Sequence, residues 1–290
     1  MRDIKNKLTS SKNTKNIKNR RGKSFGYQVL GFGAGGGAAF APLVATGGTV
    51  STVGDYKVHK FTSPGTFQVT EAGSPDAMVV EYLIVAGGGG MGYGYGGAGG
   101  AGGYRAAGCG PSPLQAPAAA VSVTSYPISV GAAGGGGPVR PVGPYAPASS
   151  GRSSDAINLT AAGGGYGGST PGSAPGGPGG SGGGAGGPSG GSGGTGNTPP
   201  VSPPQGNNGQ SGTPEGTQGG GAGAAGGNPR DNITGVINSI DGSPRYYSCG
   251  GRSGPSPHMS PRSNSGFGGK CQGQSGCSGI VIIRYRLVEA

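Results

Sequence analysis

The sequence predicts an all-β chain: a small sheet or sandwich base, closed by its first and last strands, carries a long glycine-rich excursion of extended helices. No significant α-helix is expected. Three observations lead there. The apolar run from Val79 to Ala86 ends abruptly in four glycines. Glycine and proline then dominate until strand-like sequence returns at Ile280-Val281-Ile282-Ile283-Arg284-Tyr285-Arg286. Between Gly163 and Gly196, 20 of 34 residues are glycine, in short frames of period three.

Composition limits the kind of core available. Glycine supplies 74 and proline 25 of the 290 residues, about a third, a level typical of low-complexity chains. Leu, Ile, Val and Phe together number 42. That is too little apolar surface to offset the ordering of the whole backbone, and glycine loses more freedom on folding than any other residue. Order in the excursion must therefore come from backbone packed on backbone, or be absent.

The amino-terminal block is basic. Residues 1–23 hold nine Lys or Arg against Asp3, so most of the net charge of +11 sits on a short arm. Such blocks are solvated and mobile. The following Ser24-Phe25-Gly26-Tyr27-Gln28-Val29-Leu30-Gly31-Phe32 reads as a docking segment that orders on a partner, or as a tether. Residues 34–54 read as a linker, so residues 1–54 form an arm and 55–290 a glycine-rich β domain. There is no apolar stretch long enough to span a bilayer and no signal-peptide h-region, so export by the usual route is not expected.

From Asp55 onward strands are expected at Tyr56–Thr62, Thr66–Thr70 and Met78–Ala86, forming a three-strand meander. Ser63-Pro64-Gly65-Thr66 suits a type II turn, with glycine taking the positive φ. His59, alternating with Val58, reads as a surface residue. Val121 to Val130 contains Pro127 and reads as an edge strand, and Ser154 to Thr160 as a further strand. Ile280 to Leu287 needs a partner, and the strand of Val79 to Ala86 is the natural one. Residues 55–86 and 279–288 then form the base, and 87–278 the excursion.

In the excursion an unbroken collagen frame is absent, since Gly177, Gly180, Gly183 and Gly186 give way to a shifted frame from Gly184 to Gly196. Short extended helices with three residues per turn fit better. Lacking Cβ atoms, they approach closely and bond backbone to backbone. A plain Gly/Ser spacer is the competing reading. Near-absence of charge and the punctuation by loop-like segments such as Pro138 to Ser150 and Arg252 to Ser263 argue against it.

Chemistry-bearing motifs are sparse. Cys109, Cys249, Cys271 and Cys277 lack metal-site spacing and read as free or locally paired loop residues. With two His and ten acidic residues, no nucleophile–base pair can be assembled, and Gly-x-Gly-x-x-Gly strings arise by chance. No enzyme activity, metal or cofactor is expected. Basic residues are absent from Gly163 to Glu215, which argues against a nucleic-acid partner.

Phe61-Thr62-Ser63-Pro64-Gly65-Thr66-Phe67, Glu81-Tyr82-Leu83-Ile84-Val85-Ala86-Gly87-Gly88-Gly89-Gly90, Gly103-Tyr104-Arg105, Tyr126-Pro127-Ile128-Ser129-Val130-Gly131, Asn197 to Asn207 and Ser278 to Tyr285 carry a resemblance. Together they resemble the glycine-rich domain of bacteriophage tail-fibre proteins, over roughly residues 55–287. Asn16 to Leu30 more loosely resembles the start of structural proteins from marine phages of cyanobacteria. The resemblance implies a virion protein, made in the host cytoplasm and related to the tip adhesins of T-even-like phages. In those, polyglycine II helices stack into a sandwich and loops at one end touch the receptor. Arg252 to Met259 departs from the family by replacing a late polyglycine run.

The expected function is thus a tail-fibre or fibre-tip adhesin, with a purely architectural head, collar or tail component as the alternative. The expected partners are other virion proteins, docked through Arg20, Arg21, Phe25, Tyr27, Leu30 and Phe32, and a host polysaccharide or outer-membrane protein. Rings stack on sugars and guanidinium forks match anions, which singles out Arg140, Tyr145, Arg245, Tyr246, Tyr247, Arg252, His258 and Arg262 as contact candidates. A homotrimer is open, since fibre proteins are often trimers but no heptad repeat enforces one. No membrane insertion is expected.

Overall fold

The computed structural model describes residues 40–94, 96–138, 148–170, 174–187, 191–212, 217–227, 234–252, 263–270 and 274–289. The chain divides after Phe40, and the fold is that of the unit from Ala41 onward. The docking residues Arg20, Arg21, Phe25, Tyr27, Leu30 and Phe32 lie outside the described residues.

The unit is all-β. Its strands are β1 (Val44–Thr46), β2 (Thr49–Val53), β3 (Tyr56–Phe61), β4 (Gly65–Glu71), β5 (Val79–Val85), β6 (Tyr104–Ala107), β7 (Gln115–Ala116), β8 (Ala119–Ala120) and β9 (Ser125–Ile128). β10 (Ser154–Ala156), β11 (Leu159–Ala161), β12 (Val236–Asn238), β13 (Arg245–Tyr247) and β14 (Ile280–Arg286) follow. The helical content among the described residues is two single turns of 3₁₀ helix, Pro75–Ala77 and Ser112–Leu114.

A seven-stranded sheet in the order β2-β3-β14-β5-β6-β7 with β8 beside β5 forms the base. The last strand, β14, lies between β3 and β5, antiparallel to both, with Ile283 opposite His59 on one side and Tyr82 on the other. The expected clasp of the two apolar runs is therefore present, and β14 is its centre. A three-stranded sheet, β1-β4-β9, covers one face. Phe61, Phe67, Val69, Val80, Tyr82, Ile84, Val281, Ile283 and Tyr285 share the cluster on that side. Val58, Leu83, Val85, Ile280 and Ile282 pack on the other face with Tyr104, Val236, Ile240 and Tyr247. Burial on both faces explains why β5 and β14 read as near-continuous apolar runs rather than alternating ones.

The excursion is ordered by hydrogen bonds that repeat every third residue. The segment 97–103 shows the pattern in full. The N–H groups of Gly97, Gly100 and Gly103 donate to Gly168, Gly165 and Ala162; those of Ala98 and Ala101 to Thr217 and Gly220; those of Gly99 and Gly102 to Gly269 and Gly266. All seven distances fall between 2.7 and 3.1 Å. Its carbonyls accept from three further segments in the same rhythm. Gly92, Gly89 and Ala86 donate to Gly97, Gly100 and Gly103, Gly184 and Ser181 to Ala98 and Ala101, and Gly251 and the Ser248 hydroxyl to Gly99 and Gly102.

One segment thus has six neighbours, and its peptide groups are satisfied without a hydrophobic core. Such proximity requires glycine. A Cβ at Gly99 would lie 2.0 Å from the carbonyl oxygen of Gly89.

Several expectations are corrected. Tyr56 to Ala86 is not a meander, because β4 belongs to the other sheet and β14 separates β3 from β5. The Pro64-Gly65 stretch carries the chain between sheets, and Gly65 is not among the residues with positive φ. Residues 34–54 are not linker throughout, since β1 and β2 extend both sheets from residue 44 on. Between them and after them, Gly47, Gly48 and Gly54 take φ of +112°, +63° and +53°. Ser154 to Thr160 is not one strand but two, β10 and β11, turned through Ile157 and Asn158 at positive φ.

His59 is fully buried rather than at the surface, because β1-β4-β9 covers its face of β3. The edge-strand reading of Pro127 holds, as β9 is an outer strand.

Candidate binding surfaces

The hydrogen bonds orient the excursion. Segment 86–92 leaves β5 and segment 97–103 returns to β6, paired antiparallel through Ala86–Gly103, Gly89–Gly100 and Gly92–Gly97. The turn between them therefore lies away from the base. Gly168 is level with Gly97, Gly137 with Met91, Gly184 and Thr217 with Ala98, and Gln274 with Met91. The chain consequently leaves and re-enters the stack at that same remote end at 138–148, 169–174, 187–191, 212–217 and 270–274. The base end is where Leu43 and β1 enter.

At the remote end the described turns bond to one another. The Tyr93 amide donates to the Ser169 hydroxyl at 3.1 Å. The Thr170 amide and hydroxyl both donate to the Tyr93 carbonyl, at 3.1 and 3.2 Å, and the Gly94 amide reaches the Pro138 carbonyl at 3.5 Å. On the way to that end the partly exposed Tyr166 lies with its ring against Gly177, where a Cβ would stand 2.5 Å from the ring. The Tyr166 ring and the Ser169 and Thr170 hydroxyls are thus held by contacts within the stack. Arg140 and Tyr145 belong to the connection leaving at Pro138, and His258 and Arg262 to 253–262. All four lie outside the described residues.

Arg245, Tyr246 and Tyr247 are brought to a different place. They form β13, whose partner β12 sets Ile237 opposite Tyr246 and Val236 opposite Tyr247. This hairpin is docked on the base. Asn238 Nδ2 donates to the Tyr104 hydroxyl at 2.8 Å and to the Cys109 carbonyl at 2.9 Å. Arg284 Nη1 donates to the Ile240 carbonyl at 3.3 Å, and Lys60 Nζ meets Asp241 Oδ2 at 2.5 Å.

On its outer face Tyr246 and Ile237, 40% and 48% exposed, join Pro111, Gly235 and Val236 around an open cleft of about 490 Å³. Arg245, exposed, flanks Tyr246 on the same strand. Alternation sends Tyr247 inward, where burial pushes its hydroxyl up to about 12. Tyr247 is therefore not available for surface contact, a correction of its expected role. Arg252 is likewise buried, at the end of the 248–251 segment beside Gly99. Ile237, Pro111, Tyr93 and Thr170 were not singled out from sequence. Only the alternation Val236-Ile237-Asn238 opposite Arg245-Tyr246-Tyr247 signals the first, and only as a hairpin.

The titratable groups inside the fold do packing work. His59 Nδ1 lies 2.8 Å from the Gly47 carbonyl, its ring stacked on Tyr285 and edge-on to Phe67, while Nε2 is buried without a partner. Desolvation lowers its pKa, opposed by the Gly47 bond and assisted by Lys57. Tyr104 and the Cys249 thiol are both raised to about 12, chiefly by burial. Cys109, Cys249 and Cys277 are free. Among the described residues no group of three or more His, Cys, Asp or Glu could hold a metal ion, and no helix is long and apolar enough to cross a membrane.

A family model described as a glycine-rich domain matches residues 62–286. No curated protein and no solved structure matches the chain. The matched span starts after β3 and takes in β4 to β14, so it holds the stack and most of the base but not β1 to β3. It covers well over half of the chain, which therefore belongs to the glycine-rich domain family.

Proposed function

We propose that this chain is a structural and binding protein of a bacteriophage particle, a tail-fibre or fibre-tip adhesin. In this reading the glycine segments are polyglycine II helices, supported by the three-residue rhythm in which six neighbours surround segment 97–103. The β base, which includes β1 and β2, holds the two ends of the excursion together, and the segment before Ala41 docks on another virion protein through Arg20, Arg21, Phe25, Tyr27, Leu30 and Phe32. The remote turns face the host, and a surface polysaccharide or outer-membrane protein is the partner.

The observation that carries the reading is the polarity of the stack. The sheets lie at one end, and the 93–94 turn and the described residues at which the chain leaves and re-enters the stack, among them Pro138, Ala174, Gly212 and Gln274, lie at the other. A stack held by backbone hydrogen bonds, with turns at the end away from the base, suits recognition, because function concentrates on loops held by a scaffold. Tyr and Arg at such turns stack on sugar rings and pair with anionic groups.

The test is adsorption of particles carrying Arg140→Ala with Tyr145→Ala, at normal incorporation of the protein. The reading expects the adsorption rate to fall at least about tenfold, the loss of one or more contacts of about 1.4 kcal/mol. Unchanged adsorption by this variant and by a matching His258→Ala, Arg262→Ala particle would leave the chain architectural.

A further inference from the structure

Among the described residues, the outer edges of the two larger sheets are protected, with one exception. β9 carries Pro127 on the outer side of the three-stranded sheet, and β1, at its other edge, is three residues long with a register shift between Val44 and Ala45. β7 closes the seven-stranded sheet with two residues set between Pro113 and Pro117. Short strands, bulges and prolines are the usual devices against edge-to-edge pairing. β2, the opposite edge, has none of them. It is five residues long, Thr49-Val50-Ser51-Thr52-Val53, without charge or proline, and its first four residues are exposed.

The hairpin geometry shows which backbone groups of β2 have no partner among the described residues. Val53 pairs with Tyr56 across the two-residue turn Gly54-Asp55, with the positive φ at the first turn position that a type II′ hairpin requires. A two-residue turn closes on a hydrogen-bonded pair, and such pairs alternate along an antiparallel ladder. Thr49, Ser51 and Val53 therefore bond to β3, and the N–H and C=O groups of Val50 and Thr52 point outward. Glycines bound the strand at both ends, Gly47 and Gly48 before it and Gly54 after it.

We propose that β2 pairs with β2 of a second copy of this chain, antiparallel about a twofold axis through Ser51. The strand is self-complementary in that arrangement. Thr49 meets Val53, Val50 meets Thr52 and Ser51 meets Ser51, so β-branched side chains oppose one another and no charge faces a like charge. Val50 and Thr52 exchange about four backbone hydrogen bonds with their counterparts. The twofold makes the contact isologous and closed, ending in a dimer and not a fibre. Two seven-stranded sheets become one continuous sheet.

The experiment uses the full chain with Ser51→Lys and Ser51→Glu, measured by sedimentation equilibrium at tens of micromolar. The wild type is expected at the mass of two chains and each variant alone at the mass of one, since like charges meet on the axis. The equimolar mixture of the two variants is expected to return to the mass of two. A monomeric wild type, an assembly unchanged in both variants, or a mixture that stays monomeric overturns the proposal. Hydrogen exchange on the wild type needs no variant. The Val50 and Thr52 amides are expected to slow as protein concentration rises, and concentration-independent exchange contradicts the pairing.

Discussion

Glu81 and Arg284 stand directly opposite each other on β5 and β14, with Arg284 Nη2 and Nε both 2.6 Å from Glu81 Oε2. The same guanidinium lies 4.1 Å from the centre of the Tyr56 ring on β3. One side chain therefore ties together the three strands that meet at the clasp, and its third contact, to the Ile240 carbonyl, fastens the β12–β13 hairpin to them.

Glu81→Gln removes the charge partner and leaves a largely buried guanidinium with only neutral acceptors. A loss of about 1–3 kcal/mol is expected, because an uncompensated buried charge costs more than the pair contributes. Urea unfolding checks it. Glu81→Arg combined with Arg284→Glu is expected to recover most of the loss, as a double-mutant cycle would show.

Glycine is needed where segments touch and optional where they do not. Gly99→Ala forces its methyl group onto the Gly89 carbonyl, and overpacking of this kind costs about 1–3 kcal/mol or more. At Gly135 the nearest atom to a new Cβ is the Ser149 hydroxyl, 3.6 Å away. Gly135→Ala is expected to change stability by less than about 0.5 kcal/mol. Thermal unfolding of the two variants separates the cases.

His59 sets an acid limit on the base. Its folded pKa is depressed by desolvation, so the unfolded chain binds the proton more readily. The stability it contributes is present above the unfolded value of 6.5 and declines as pH falls below it. His59→Asn keeps a donor for the Gly47 carbonyl and removes the titration. The wild-type urea midpoint is expected to fall between pH 6.5 and 5 more steeply than that of the variant, and equal slopes would contradict the burial of this ring.

The thiols rank by accessibility. Cys249 is fully buried, with its thiol raised to about 12, whereas Cys109 is partly exposed on the Ser239 side of the hairpin. Maleimide labelling mapped by mass spectrometry at pH 7.5 is expected to modify Cys109 and leave Cys249 unmodified until denaturant is added. Early modification at Cys249 would mean that the 248–251 segment opens.

The clasp was legible because β5 and β14 are buried on both faces and so carry unbroken apolar runs. The excursion's order was legible in the period-three glycines, though its neighbour relations were not, since a glycine frame is the same whichever segment it faces. The sheet of β4 is not legible, because Pro64-Gly65 signals a change of direction without saying whether the chain pairs back or crosses over. β1 and β2 escaped notice because Val-Ala-Thr and Thr-Val-Ser-Thr-Val bury little and lie among glycines. The burial of His59 is not legible from alternation, because one wet face per strand is the usual case and fails for a strand covered on both sides.

Of the proposed contact residues, Arg245 and Tyr246 do reach the surface, but beside the base. Short strands such as β12 and β13 leave no apolar run long enough to show where they dock.

Amide exchange along residues 97–103 tests the central claim most directly, that backbone hydrogen bonds between close-packed segments, and not a hydrophobic core, hold the excursion in one arrangement. Protection close to that of β14 is expected for Gly97 to Gly103 in the native protein, each N–H having an acceptor within 3.1 Å. Exchange at the rate of an unstructured glycine-rich peptide, with β14 still protected, would contradict it.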